Sequence, residues 1–211
     1  MCEENNKVSS KPLTKIQKKI LQIAKKKFSK NGYQKTSMND IVSTAGVSKG
    51  VLFYHFHSKE ELFFQVLSQG IDAEFQRIFR LLENEGKKLF KKKENLFDDL
   101  KKYYDLAIAG TKDFERLWLE GRIESENNVK LRQMMEKKDK EITQILFEGL
   151  KISREKIGIL QKYDDKELME IVKGIIVVMR GLFIEKLSGK DQQESKNTWA
   201  RIMFIIYTSK K

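Results

Sequence analysis

This chain of 211 residues has one cysteine, one proline and few glycines, and each shortage excludes something. A lone cysteine, Cys2, can close no internal disulfide, which argues against a stapled extracellular fold. With Pro12 as the single proline and the 12 glycines mostly isolated, there are almost no breakers to bound short strands. An all-helical fold is therefore expected. The longest apolar run, GIIVVMRGLFI over 174–184, falls short of the roughly 20 residues that cross a bilayer and contains Arg180, so it reads as a buried helix. No charged-then-apolar leader stands ahead of the first helical pattern, and the expected location is cytoplasmic. Chemistry is scarce as well. His55, His57 and a distant Cys2 do not supply the three or four ligands of a zinc site, and no glycine-rich phosphate loop or nucleophile with a histidine partner is present. An enzyme is not expected, and neither a metal nor another cofactor.

What the chain has in excess is positive charge, and it is concentrated. The net charge is +12, of which the 49 residues from Lys11 to Lys59 carry +10, with eleven lysines against one acid, Asp40. The other 162 residues share +2. A solvated face ordinarily mixes both signs, so a block of one sign points to a polyanion. The block lacks the broad apolar face of a helix lying on a lipid surface, which leaves nucleic acid rather than a membrane as the partner.

The same segment is patterned as short helices. Ile16, Ile20, Ile23, Ala24 and Phe28 share one face of a helix over 13–31 that Asn31-Gly32 should end. Thr36-Ser37 offers an N-cap for a two-turn helix with Met38, Ile41, Val42 and Ala45 on one side and Asp40 near its positive end. Gly46 suits a tight reversal, and Ser48 caps a third helix through Phe56 that buries Leu52 and Phe56 and turns Lys49, Gly50, Phe53 and Tyr54 elsewhere. Two short helices across a glycine-bearing turn match a helix-turn-helix, whose second helix enters the major groove. In Ser58-Lys59-Glu60-Glu61 a capping box is expected, with the Ser58 hydroxyl accepting from the Glu61 amide while Glu61 reaches back. It would open a long fourth helix through Leu62, Phe63, Val66, Leu67, Ile71, Phe75, Ile78, Phe79 and Leu82.

In order along the chain, AKKKFSKNGYQKTSMNDIVSTAGVSKGVLFYHFHSKEELFFQVL carries F-x-x-x-G-[YF], T-[ST]-x-x-x-I-[VA], A-G-V-S-x-G and L-[YF]-x-H-F-x-x-K-x-x-L. This stretch resembles the N-terminal domain of TetR-family transcriptional regulators. The resemblance implies an N-terminal DNA-binding domain over 11–58 and a larger helical effector-binding and dimerising domain over 59–211. It also implies a homodimer that places one helix-turn-helix on each half of a near-palindromic operator on double-stranded DNA. Carried over by position, Thr36 and Ser37 would meet phosphate, Ser48, Lys49, Gly50 and Val51 would face the groove, and Tyr54, His55 and Lys59 would hold the backbone. Lys59 fits independently, since the free amides at a helix start favour an anion. Phe53 stands where most relatives have tyrosine, which removes one hydroxyl contact. His57 reads as exposed surface.

Beyond about Leu82 acids balance bases, aromatics and methionines become frequent, and helices are expected near 96–109, 112–118, 122–150, 166–187 and 194–208. The last two are more apolar than one subunit needs. The resemblance assigns such a pair to a four-helix bundle across a dimer axis, with Ile175, Met179, Arg180, Phe183, Trp199, Ile202, Met203 and Ile206 at the interface. Arg180 would pair with an acid such as Glu185 of the partner subunit, or hold an anionic ligand. Phe97, Tyr104, Trp118, Arg122 and Met134 are candidate walls for an apolar or aromatic effector, with Arg122 orienting a polar end. The functional expectation is a ligand-responsive regulator, in the first place a repressor. The rival is a nucleoid or cell-division DNA-binding protein with the same head and no effector.

Overall fold

The computed structural model describes residues 12–85, 95–108, 112–158 and 160–208; Cys2 and Lys11 lie outside them. Among the described residues there are nine α-helices and no strand. They divide into two compact units, the first ending at Val66 and the second beginning at Leu67.

The first unit holds α1 (Lys15–Asn31), α2 (Met38–Ala45), α3 (Lys49–His55) and the start of α4 (Lys59–Glu85). Each short helix starts where its own sequence satisfies the first free amides. Thr14 caps α1 in a reciprocal box with Gln17, Ser37 caps α2 in another with Asp40, and Ser48 caps α3 by accepting from Val51 N at 3.2 Å. Gly32 ends α1. Gly46 ends α2 in the left-handed region (φ 60°, ψ 38°), where a side chain is disfavoured, and so sets the reversal into α3.

The helices close over one core: Ile20, Leu21, Ala24, Phe28, Ile41, Ala45, Leu52, Phe56, Leu62, Phe63 and Val66 are all buried. At its centre Phe63 meets Phe28 edge-on at 4.9 Å and Tyr33 at 4.7 Å. The α1 pattern holds except at its start, where Ile16 is 45% exposed, one turn ahead of the packed part.

The second unit contains the rest of α4 with α5 (Leu96–Ile108), α6 (Lys112–Asn127), α7 (Val129–Ile157), α8 (Asp165–Leu187) and α9 (Gln192–Thr208). The break between α6 and α7 comes at Asn128, not near residue 120. Asn128 leaves the helical region and its side chain accepts from Leu131 N at 2.9 Å, so the cap and not the apolar spacing places the boundary. The unit's interior includes two packed clusters. Leu96, Leu100 and Tyr104 of α5 pack with Ile175 and Leu182 of α8 and Trp199, Ala200 and Met203 of α9. Phe147, Leu160, Leu168 and Val172 make the second. Where α4 passes α6 the fit is tight: a Cβ at Gly70 would lie 2.5 Å from the Phe114 ring.

Candidate nucleic-acid interface

The exposed side of α2 and α3 is built by the same caps that start the helices. Because Leu52 and Phe56 are drawn into the core, the other faces of α3 turn outward, and Ser48, Lys49, Gly50, Phe53 and Tyr54 are all exposed. Tyr54 is 80% exposed with its ring edge-on to His55 at 5.0 Å. Val51 and His55 are half-buried at the margin. The Lys49 ammonium lies 5.9 Å from the Phe53 ring centre, so a cation and an exposed apolar face stand side by side.

On α2, Ser37 is exposed and its hydroxyl is 2.6 Å from Asp40 Oδ2. Hydrogen bonds from the Ser37 hydroxyl and then its amide hold the Asp40 carboxyl below the usual carboxylate range. The block's one acid is thus committed to the cap. Thr36 departs from expectation. It is 1% exposed, its hydroxyl donates to Gly32 O at 2.8 Å and its amide donates to Tyr33 O at 3.2 Å, so both its donors are used inside the fold.

Lys59 is half-buried rather than free at the helix start. Its ammonium donates to Gln34 O at 3.3 Å and sits 4.2 Å from the centre of the Tyr33 ring, whose hydroxyl donates to Glu60 at 3.1 Å. Ahead of α4, Ser58 Oγ accepts from Glu61 N at 3.2 Å as expected, and the Glu61 carboxylate also takes the His57 amide at 3.2 Å and faces its Nδ1 at 3.1 Å. The exposed His57 therefore helps fix the turn into α4.

The lysines of α1 add to the positive charge of this unit. Lys15, Lys18, Lys19, Lys25, Lys26 and Lys30 are all exposed, whereas Ala24 and Phe28 of the same helix are buried. No acid interrupts them.

In the second unit the candidate effector residues do not assemble into one wall. Tyr104 is buried in the α5–α9 cluster and its hydroxyl meets Gln192 at 3.3 Å, while Phe97 packs edge-on against Phe204 at 5.8 Å. Trp118 and Arg122 belong to another group, in which the Arg122 and Arg180 guanidinium groups lie 4.7 and 5.3 Å from the Trp118 ring and both bond Asp139. Met134 is half-buried on α7. Arg180 does form an ion pair, but with Asp139 of its own chain at 2.9 Å, while Glu185 is taken by Lys190 and Ser195.

Three residues expected at a subunit interface are instead interior: Ile175, Trp199 and Met203 are 8%, 2% and 2% exposed within one chain. Met179, Phe183 and Ile206 pack partly against the same interior, and Ile202 is half-buried. Outward-facing instead are Val177 at 65%, Ile184 at 51% and Ile205 at 56% exposure, residues that the apolar spacing alone did not separate from their buried neighbours. Among the described residues no helix is long and apolar enough to cross a membrane, and no three acidic, histidine or cysteine side chains gather as a metal site would require.

Comparison with known proteins finds its match in the segment that carries α1 to α3. Residues 20–66 match the family model described as bacterial regulatory proteins, tetR family. The HTH-type transcriptional regulator QacR of Staphylococcus aureus is 47% identical over 53 residues, 25% of this chain and 28% of QacR. The HTH-type transcriptional regulator YfiR of Bacillus subtilis is 27% identical over 107 residues, covering 51% of this chain and 48% of YfiR. The chain thus spans about half the length of one curated relative and about a quarter of the other. Over nearly the whole fold, Salmonella enterica GusR superposes with a TM-score of 0.70 at 18% identity, covering 95% of this chain and 99% of that one.

Proposed function

From the premise that its helix-turn-helix head is that of the TetR family of bacterial transcriptional regulators, we propose that the whole protein is a ligand-responsive regulator, acting as a repressor. In this reading it binds a near-palindromic operator as a homodimer and leaves it when a small effector occupies the second unit. The observation that carries the reading is α3 itself: Ser48, Lys49, Gly50, Phe53 and Tyr54 all face outward from a helix anchored by Leu52, inside a segment whose charge is almost wholly lysine. Lys49 is long enough to reach a guanine edge, and the Phe53 ring beside it offers apolar contact to a thymine methyl in place of a hydroxyl bond. Tyr54, His55 and Lys59 hold the backbone, with the α1 lysines adding sequence-independent attraction.

Self-association is supported by α8. Val177, Gly181 and Ile184 share one exposed strip, and a Cβ at Gly181 would meet nothing within 4 Å, so a second helix could approach closely there. Two heads held about 34 Å apart meet successive major grooves, and a shift of a few ångströms ends that match. A route for the shift starts at Lys138 of α7, which is buried and bonds Asp72 of α4 at 2.7 Å, because α4 is the helix that begins beside the DNA-binding turn.

Fluorescence anisotropy of the full chain on its own upstream DNA and on scrambled DNA, at about 0.15 M salt, tests the reading. Specific binding should exceed non-specific binding by about a thousandfold or more. Equal affinity for the two would reject a specific regulator.

A further inference from the structure

The cluster around Asp139 is larger than a structural ion pair requires. Arg122 of α6 and Arg180 of α8 converge on one oxygen, Asp139 Oδ1 of α7, and both guanidinium groups lie over the ring of Trp118, itself only 8% exposed. Two cations share one carboxylate. A guanidinium is a planar fork with five donors, suited to grip an oxyanion through two of them at once, and here both forks meet at a single acceptor atom. Arg122 Nε is covered and has no hydrogen-bond partner. The neighbouring charges are engaged elsewhere, Lys138 with Asp72 and Glu141 and Lys186 with Glu115. The Arg122 and Arg180 side chains nonetheless keep 25% and 35% of their exposure, so the pair is dry on the indole side and reachable from solvent.

We propose that Arg122 and Arg180, set over Trp118, are a binding site for an oxyanion, the carboxylate or phosphate of an acidic effector, with Asp139 as the resident counter-ion that this group displaces. The proposal rests on the ligand-responsive reading and adds the chemical class of the ligand. An incoming oxyanion would take the fork donors that now converge on Asp139. Its arrival frees Asp139 on the turn of α7 that also carries Lys138, the residue tied to α4. Displacement is thereby linked to the helix that leads to the head.

Isothermal titration of the full chain at constant ionic strength tests the site with sodium benzoate, inorganic phosphate and the uncharged analogue benzamide. Benzoate or phosphate should bind at about millimolar concentration, as small ligands making one strong contact do, and benzamide should not. Which of the two anions binds tells carboxylate from phosphate. Asp139→Asn, which removes the competing carboxylate, should tighten anion binding about tenfold, and Arg180→Gln or Arg122→Gln should weaken it by as much. A gain in affinity cannot come from misfolding, so Asp139→Asn keeps the test decisive even if an arginine variant is unstable. Equal binding of benzoate and benzamide, or no gain in Asp139→Asn, overturns the site. Operator binding followed in parallel separates the two readings. Anions that bind through the arginines without releasing DNA leave the site standing and reject the effector reading. Release by an uncharged compound, with wild type and Arg180→Gln responding alike and neither anion bound, does the reverse.

Discussion

Gly50 separates folding from recognition in a single substitution. It is the second residue of α3, is exposed, has ordinary helical backbone, and a Cβ built there meets only Ser48 Oγ at 3.8 Å, an ordinary van der Waals distance. Nothing in the fold opposes a methyl group. Alanine in a helix is worth about 1 kcal/mol over glycine, less in the first turn, so Gly50→Ala should stabilise the protein by about 0.5–1 kcal/mol. For a chain of this size melting as one unit, the gain is a rise of roughly 1–4 °C in Tm. If the start of α3 lies against DNA as proposed, the same methyl enters that contact, and operator affinity should fall at least tenfold, about 1.4 kcal/mol. Circular dichroism melts and anisotropy titrations at several salt concentrations read the two effects separately. The salt slope should not change, because no cation is lost. A variant that is more stable and binds its operator as tightly as before would refute the close approach at Gly50, and one that melts lower would refute the local geometry of α3.

Lys49→Ala should change which bases are preferred, whereas Lys59→Ala should weaken all DNA alike, lower the salt slope by about 1, and cost about 0.5–1 kcal/mol of stability through the lost contact with Tyr33. Asp40 is the pH-sensitive cap. Its folded carboxyl titrates below its unfolded value, so its contribution is full above about pH 4 and is lost as pH falls through the lower folded value; Asp40→Asn should flatten the acid limb of a stability profile, and an unchanged limb would remove this role. Val177→Glu with Ile184→Glu should leave helicity intact, since both side chains are more than half exposed, and should convert a dimer to a monomer by light scattering at micromolar concentration.

Much of the first unit was legible because its determinants are local. Ser37 with Asp40, Ser48 with Val51 N and Gly46 in its left-handed turn each act within three or four residues, and the caps therefore showed where the helices begin. The burial of Thr36 was not legible for a reason that distance explains: its hydroxyl closes on Lys27 O and Gly32 O, the end of the preceding helix, which spacing within α2 could not reveal. The same limit hid Asp139. Its partners Arg122 and Arg180 lie 17 and 41 residues away in sequence, and only the packing of α6, α7 and α8 brings them to one oxygen.

Helix α8 shows what apolar periodicity can decide and what it cannot. Ile171, Val172, Ile175, Ile176, Val178, Met179, Leu182 and Phe183 go around most of the helix, and Val177 and Ile184 fill the remainder, so the sequence indicates that α8 has neighbours on more than one side without assigning them. Packing makes the assignment. One side meets α5 and α9 through Ile175 and Leu182, and the cluster there has a tryptophan and a methionine from α9 already inside it. That interior cannot also serve a partner subunit, because opening it would expose side chains such as Trp199, at about 1.5–3 kcal/mol for each large residue uncovered. Among the described residues, the strip over Gly174, Val177, Gly181 and Ile184 has no such role within the chain. Its two apolar side chains are exposed and its two glycines have open space where a Cβ would be, which makes it the side of α8 on which a second chain can pack without unmaking the first.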